Sequence, residues 1–335
     1  MLTPFKQLAK LLLTTLWLGL MVYGFYFVYS VITSGVEGHE GFKWPTMNLG
    51  NSLLLLGIFL LMFANWGIEA LKWQRSVRDL ERLSFFHAFK ATLVGVSVST
   101  WMPNRLGEYI GKIFYIKPQN RVRGAISGLY VSYTQIIATL FFGLLGTLYF
   151  LVRFSGEYDL AWAGAGIVMV LAAMIAFLVY KDRVINYLRV KNRYVRLFIN
   201  TLVRYSIKEA WFFVGLSGLR FCVFNLQFVL ALQLFGVDIS IWDSFLLISL
   251  IYGLQTIIPA TALSGLGIRG TISVFFLGYL TTNELGILSA SYSIWVINLL
   301  VPSILGWFGL VMSPVRKEVK NYALGLIRVK TGNRQ

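Results

Sequence analysis

The sequence contains one cysteine and two histidines, and it has few charged residues. Cys222 cannot form an intrachain disulfide, and together with the distant His39 and His87 it does not supply the usual ligands of a zinc site. No Walker phosphate-binding loop and no His-Glu-x-x-His motif occurs. Charged residues make up 13% of the 335 residues, whereas a soluble domain has about 25%. We therefore expect no cofactor, no metal ion and no enzymatic activity, and we do not expect a soluble domain.

Apolar residues dominate the composition instead. They amount to 57% of the chain, and the mean hydropathy is +0.70. Long apolar runs recur between Leu11 and Met312, and about 20 such residues suffice for a helix to span a membrane. These features predict an all-α, polytopic helical membrane protein in which residues 1–335 form a single integral membrane domain. The net charge of +16 follows the positive-inside rule, so we expect no nucleic-acid partner.

The basic residues predict how the chain is threaded through the membrane. Those assigned to the cytoplasmic side lie in the N-terminal tail, in residues 72–84, 117–123 and 181–208, at Lys90 and Lys112 and in the tail 313–335. We expect a multi-pass protein of the plasma (inner) membrane, with about six full spans and with both termini in the cytoplasm. Residues 181–208 are predicted to form an amphipathic surface segment that is attracted to anionic lipid.

Two of the apolar segments are interrupted by proline, glycine and arginine. One interruption lies within residues 101–112 and the other within residues 259–270. The first has basic flanks on both sides and the second has acidic flanks, so each segment is predicted to be a re-entrant helical hairpin, at residues 84–116 and 244–281. In the alternative topology each hairpin arm is a tilted full span, but Tyr109–Ile116 is too short to cross.

The two hairpins also predict internal symmetry. A first half at residues 1–180 and a second half at residues 209–312 would contain hairpins that enter from opposite faces. This is the inverted-topology arrangement of many transporters, whose discontinuous helices surround the substrate site. Arg105 and Arg269 would then approach one wet, positively charged cavity near the membrane midplane.

The residues at the two interruptions resemble motifs of a known family. Pro103–Glu108 is similar to a Pro-x-Arg-x-Gly-Glu pattern, and Ser264–Arg269 is similar to a Gly-Gly-Leu-Gly-x-Arg-Glu pattern. Both patterns occur in the flippase-like membrane family related to the transmembrane region of lysylphosphatidylglycerol synthases. Ser264 replaces the first glycine, and Gly270 replaces the glutamate. The resemblance covers nearly the whole chain and implies a lipid-translocating domain; the amino-acid transfer of a separate soluble synthase domain is not expected.

Ionisable side chains at membrane depth are expensive, and they usually face a cavity or one another. Arg105 and Glu108 share a helix face, so either Arg105 contacts a lipid phosphate or the two form a structural ion pair. Around Arg269, free backbone N–H groups would favour an anion, although the glycines would equally permit tight packing. The predicted substrate-binding residues are Pro103, Asn104, Arg105, Gly107, Glu108, Pro259, Ser264, Gly265, Gly267 and Arg269.

Arg220 and Gln255 are further candidates for lining a headgroup pathway. Arg220 would equally suit the cytoplasmic interface, because a long basic side chain can extend from an apolar helix toward water. Asn65 and Glu69 are predicted to be interfacial or helix–helix contacts.

The sequence therefore predicts a flippase-like transporter that moves an anionic phospholipid or a lipid-linked phosphate between leaflets. One alternative is a membrane-embedded lipid-modifying transferase, which would need acidic or histidine clusters at one membrane face. The other is a non-catalytic membrane scaffold that recruits a cytoplasmic partner through residues 181–208 and the C-terminal tail.

Overall fold

The computed structural model describes Tyr26, Tyr29 and residues 45–99, 106–154, 159–187, 193–258 and 264–312. Every regular element within these residues is helical. The helices are α1 (Leu49–Ser76), α2 (Phe85–Ser99), α3 (Leu106–Ile113), α4 (Arg121–Phe154), α5 (Asp159–Tyr187), α6 (Arg193–Val203), α7 (Ile207–Leu234), α8 (Ile241–Ile257), α9 (Ser264–Leu277), α10 (Glu284–Trp295) and α11 (Val301–Val311). A 3-10 turn at Pro118–Asn120 precedes α4, and a π-helical turn at Val296–Leu300 joins α10 to α11.

Several helices have the length and the surface of membrane spans. Within the described residues, four are long and apolar enough to cross a membrane: Leu49–Ser76, Pro118–Phe154, Ile207–Leu234 and Glu284–Val311. Large apolar side chains such as Leu53, Leu56 and Leu60 of α1 are exposed on their surfaces, as suits contact with lipid. The prediction of an all-α polytopic membrane protein is confirmed. The N-terminal tail and the tail 313–335 lie outside the described residues.

The chain divides into two compact units. The first consists of residues up to Leu60, Leu140–Gly166 and Asn225–Trp295, and the second consists of Leu61–Thr139, Ile167–Phe224 and the residues from Val296 onward. Helices α8, α9 and α10 belong to the first unit, whereas α2, α3, α6 and α11 belong to the second.

In the second unit, α2 and α3 pack antiparallel with their backbones in direct contact. A Cβ atom added at Gly95 would lie 2.5 Å from the Glu108 carbonyl oxygen, and one at Gly107 would lie 2.5 Å from the Val98 carbonyl oxygen. One at Gly111 would lie 2.5 Å from the Gly95 Cα atom. Glycine therefore permits an approach that any side chain would prevent. The antiparallel helices α2 and α3 thus lie within the residues predicted to form the arms of the first hairpin.

An apolar cluster packs where α2 begins and α3 ends. Its buried members are Trp73, Val77, Ala88, Ala91, Val94, Tyr115 and Ile116. The His87 Nε2 atom lies 3.3 Å from the Tyr115 carbonyl oxygen, and Ser97 Oγ donates a hydrogen bond to the Ser303 carbonyl oxygen of α11 at 2.6 Å. These contacts fix α2 between α3 and α11.

The predicted surface segment 181–208 includes α6 and ends in an anchored residue. One guanidinium nitrogen of Arg204, Nη2, donates to the Ser76 carbonyl oxygen and to Ser127 Oγ, both at 2.9 Å. It also donates to the Tyr205 hydroxyl at 2.8 Å. Arg204 therefore ties the end of α1 to α4, which is a structural role in addition to the topological one predicted from its charge.

In the first unit, α8 and α9 correspond to the arms predicted for the second hairpin. Ser240 caps α8, because its hydroxyl accepts a hydrogen bond from the Asp243 N–H at 3.1 Å. Helix α9 begins at Ser264 and contacts α10, where a Cβ atom at Gly270 would lie 2.5 Å from the Tyr292 hydroxyl oxygen. The tyrosine occupies the space that a larger side chain at position 270 would need, which is the position where the resembled pattern has glutamate.

Candidate functional site

Glu69 of α1 is the centre of a buried charge cluster in the second unit. The residue is 4% exposed. Its Oε1 atom lies 2.8 Å from Lys112 Nζ of α3, and its Oε2 atom lies 3.3 Å from Lys72 Nζ. The same Oε2 atom lies 3.5 Å from Arg220 Nη1 of α7. One carboxylate therefore holds three cations that come from three different helices.

Lys112 joins this carboxylate to a second one. Its Nζ atom donates to Glu69 Oε1 at 2.8 Å and to Glu108 Oε1 at 2.7 Å. Glu108 lies one turn before Lys112 on α3, in the favourable order for a helical ion pair. The described partner of Glu108 is thus Lys112, while Arg105 lies outside the described residues.

Gln135 of α4 connects two of the cations through a neutral group. Its Oε1 atom accepts hydrogen bonds from Lys72 Nζ at 2.9 Å and from Arg220 Nη1 at 3.4 Å. Its Nε2 atom donates to the Ser217 carbonyl oxygen at 3.3 Å. The amide is therefore oriented with its oxygen toward the positive charges, and four helices contribute to the cluster.

Two tryptophans of α1 border the cluster. The Arg220 Cζ atom lies 5.3 Å from the centre of a Trp66 ring, and Lys112 Nζ lies 5.9 Å from that of Trp73, both within the range of cation–π attraction. Arg220 Nε and Trp66 Nε1 are buried without a hydrogen-bond partner among the described residues. The cluster therefore retains unused N–H donors beside a cation.

The charges of the cluster do not cancel. Three cations and two carboxylates leave one positive charge in excess when all five groups are ionised. Burial of an ion costs several kcal/mol, about as much as close partners restore, so an excess charge is unfavourable. The Glu108 and Arg220 side chains are 14% and 16% exposed, more than the other members. An anion that reached Arg220 would balance the excess positive charge of the cluster.

The structure places the first group of predicted site residues as follows. Pro103, Asn104 and Arg105 lie outside the described residues. Gly107 lies at the contact between α2 and α3, and Glu108 belongs to the charge cluster. Arg220 points into that cluster and is mostly buried, which contradicts the alternative of a side chain extended toward water.

The second group lies in the first unit. Pro259 is outside the described residues, whereas Ser264, Gly265 and Gly267 form the first turn of α9. Arg269 follows in the second turn, half-buried and beside the buried Tyr252. Gln255 of α8 is half-buried, and its Nε2 atom has no hydrogen-bond partner within the described part of the chain. A helix N-terminus is thus present at the glycine-rich break, and anion binding there stays a prediction.

Comparison with known proteins decides the family. Residues 44–306 match the sequence profile of the lysylphosphatidylglycerol synthase TM region. The chain belongs to this family. The matched range includes both interruptions and all five charged residues of the cluster, so the resemblance seen in two short motifs is confirmed over most of the chain. No curated protein matched the sequence.

In this member of the lysylphosphatidylglycerol synthase TM family, Glu69 makes the helix–helix contacts that were one of its two predicted roles, but the charge cluster around it was not predicted. The positive-inside rule assigned Lys72 and Lys112 to the cytoplasmic side, but it did not indicate that they are 0% and 2% exposed and bind Glu69. A signal was present, since Glu69–Lys72 and Glu108–Lys112 have the spacings of helical ion pairs within largely apolar segments.

Proposed function

We propose that the protein moves an anionic phospholipid or a lipid-linked phosphate between the leaflets of the membrane. The observation that carries the proposal is the buried charge cluster, whose excess positive charge lies in a membrane protein of a lipid-synthase family. Arginine binds phosphate through two parallel hydrogen bonds, and Arg220 has a buried Nε without a partner among the described residues.

In the proposed mechanism, the two carboxylates neutralise the cations of the cluster when no lipid phosphate is bound. Glu69 and Glu108 hold Lys112 in place, and Glu69 also holds Arg220. Binding of a headgroup then exchanges one anionic partner for another, which avoids exposing a bare cation to the membrane interior. The acyl chains stay in the bilayer throughout, so the protein only has to lower the free energy of the polar headgroup.

The arginines of the two interruptions belong to the same proposal. Arg105 and Arg269 are proposed to contact lipid phosphate, together with Pro103, Asn104, Gly107 and Glu108 in the first interruption and Pro259, Ser264, Gly265 and Gly267 in the second. Gln255 is proposed to line the pathway. The prediction that both arginines reach one cavity follows from the sequence symmetry alone.

Transport is tested in vesicles that contain the purified protein and no other. A headgroup-labelled anionic phospholipid should change leaflets with wild-type protein, and Arg105→Ala or Arg269→Ala should slow this by about tenfold or more, since one lost charge-assisted contact corresponds to at least that factor. Lysine at either position should restore only part of the rate, because lysine keeps the charge but loses the planar two-point contact.

The matched control is Arg123→Ala, which removes an exposed arginine and should leave the rate unchanged. Wild-type transport by folded alanine variants at both positions would remove the two arginines from the mechanism. Absence of any translocation by wild-type protein would favour the transferase or the scaffold.

The proposal includes a finer topology: about six full spans, two re-entrant hairpins in inverted repeats, and both termini in the cytoplasm. Single cysteines are introduced into the Cys222→Ala protein and exposed to a membrane-impermeant thiol reagent. Those replacing Gly38 and Ser240 should react from outside, whereas one replacing Asn192 should react only after permeabilisation. Reaction of a cysteine at Asn120 from outside would contradict re-entrance of the first hairpin, because it would place the two ends of the hairpin on opposite sides.

A further inference from the structure

The second unit has an open pocket of about 880 Å³ between the C-terminal end of α1 and the N-terminal end of α7. It is separate from the charge cluster, and none of the five cluster residues lines it. Part of its wall, the cationic side, is formed by Arg75, Arg78 and Arg82. Another part, the apolar side, is formed by Leu71, Phe212 and Leu216.

The cationic side carries a clear excess of positive charge. Arg75 lies in the last turn of α1, and Arg78 and Arg82 follow it in the connection to α2. All three are exposed. The acidic residue of the pocket wall is Asp79, whose carboxylate lies 3.8 Å from Arg78 Nε and 3.9 Å from Arg204 Nε. Since Asp79 is already shared between two arginines, the pocket can accept a further anion.

The apolar side lies directly beside these charges. Leu71 and Phe212 are both exposed although they are large and hydrophobic, and Leu216 is the next α7 residue on the same face as Phe212. The Arg75 Cζ atom lies 5.7 Å from the centre of the Phe212 ring, so the two sides of the pocket are in contact. A soluble anion would leave the hydrophobic surface exposed, and a purely apolar ligand would leave the arginines without partners. A phospholipid satisfies both sides.

The position along the helices suits the same ligand. Helix α1 is one of the four described helices able to span a membrane. Arginines at and just after its end belong at the depth of lipid headgroups, where basic residues attract anionic lipid. Helices α1 and α7 run antiparallel, because Arg75 meets Phe212 whereas Glu69 meets Arg220. Leu216 is therefore one helical turn, roughly 6 Å along the axis, from Arg220 of the charge cluster.

We propose that this pocket is a binding site for a glycerophospholipid with a net negative headgroup. The phosphodiester lies against Arg75, Arg78 and Arg82, and an acyl chain lies along Leu71 and Phe212. Binding of anionic lipid in this pocket does not depend on whether the protein transports lipid. Its second role, as the site from which a headgroup passes to Arg220, rests on the proposed function.

Binding is measured with the full-length protein in nanodiscs of phosphatidylcholine that contain a small fraction of photoactivatable phosphatidylglycerol. Crosslinks are mapped by mass spectrometry to the peptides that include Arg75–Arg82 and Phe212. The variant Arg75→Gln/Arg78→Gln/Arg82→Gln should reduce crosslinking at these peptides by about tenfold or more, as expected when at least one contact of about 1.4 kcal/mol is lost.

The matched control removes three exposed basic residues of the second unit that do not line the pocket: Lys90→Gln/Lys117→Gln/Arg123→Gln. It has the same net charge as the pocket variant and should keep wild-type crosslinking. An equal loss of crosslinking in both triple variants would overturn the proposal, because it would show that the total surface charge, and not the pocket, determines lipid binding. Equal crosslinking of a photoactivatable phosphatidylcholine would overturn it as well.

A second variant keeps every charge. Leu71→Trp enlarges an exposed side chain of the apolar side, so it should lower crosslinking several-fold while the unfolding temperature stays near that of wild type. Displacement of the lipid probe by inorganic phosphate would contradict a lipid site, because it would show that the arginines alone determine binding.

The two proposals are separated by transport measured on the same proteins. Wild-type protein that crosslinks the lipid but does not translocate it would refute the proposed function and leave the lipid site standing. A pocket variant that loses crosslinking but transports at the wild-type rate would refute the passage of lipid from the pocket to Arg220 and leave the transport proposal standing.

Discussion

Replacing Glu69 by alanine is expected to destabilise the protein by about 3–5 kcal/mol, the usual effect of removing one partner from a buried ion pair. The substitution removes the carboxylate that Lys72, Lys112 and Arg220 share, and it leaves three cations close together. Gln135 accepts hydrogen bonds from two of them but carries no charge that would offset their repulsion. Unfolding of the purified protein in detergent, followed by temperature or denaturant, measures the loss.

The matched control is Asp238→Ala, which removes an exposed carboxylate and should change stability by about 0.5 kcal/mol or less. The double variant Glu69→Ala/Lys72→Met should be more stable than Glu69→Ala alone. It removes a buried cation whose remaining partner is the neutral Gln135 amide, whereas Lys112 keeps the Glu108 carboxylate. Equal stability of Glu69→Ala and Asp238→Ala would contradict a buried cluster of ionised groups.

The same glycine-to-alanine substitution should have opposite effects at Gly111 and Gly215. At Gly111, the new Cβ atom would lie 2.5 Å from the Gly95 Cα atom and 2.8 Å from the Gly95 nitrogen. Backbone atoms cannot rotate away, so α3 has to separate from α2, at a cost of about 1–3 kcal/mol or more. At Gly215 of α7 no atom lies within 4 Å of the new Cβ, and alanine in a helix is about 0.5–1 kcal/mol more stable than glycine.

Transport by these two variants tests whether the close contact between α2 and α3 is needed for translocation as well as for stability. Helix α3 carries Glu108 and Lys112, so Gly111→Ala should slow translocation as well as lower the unfolding temperature, whereas Gly215→Ala should keep both at or above the wild-type value. Indistinguishable behaviour of the two variants would mean that the contact between α2 and α3 is not as close as the glycines indicate.

The class of the protein follows from the sequence alone. Hydropathy is a sum over consecutive residues, so the long apolar runs between Leu11 and Met312 predicted helices of span length, and α1, α4 and α7 are such helices. Proline and glycine act on their own part of the backbone, which explains why the helical arms around both interruptions were predictable. The motifs at the two interruptions were likewise sufficient to indicate the family.

Tertiary structure alone decided which charges meet. Lys112 is four residues from Glu108 but far along the chain from Glu69, and Arg220 is farther still. A lysine at the end of an apolar run has the same sequence pattern whether it extends into water or binds a buried carboxylate, and the positive-inside rule cannot distinguish the two. Gly107 was predicted to bind substrate, and only the folded chain shows that it lies at the close contact with α2. Electrostatic and steric interactions act over a few ångströms in space, so they depend on which helices become neighbours, and only the folded chain determines that.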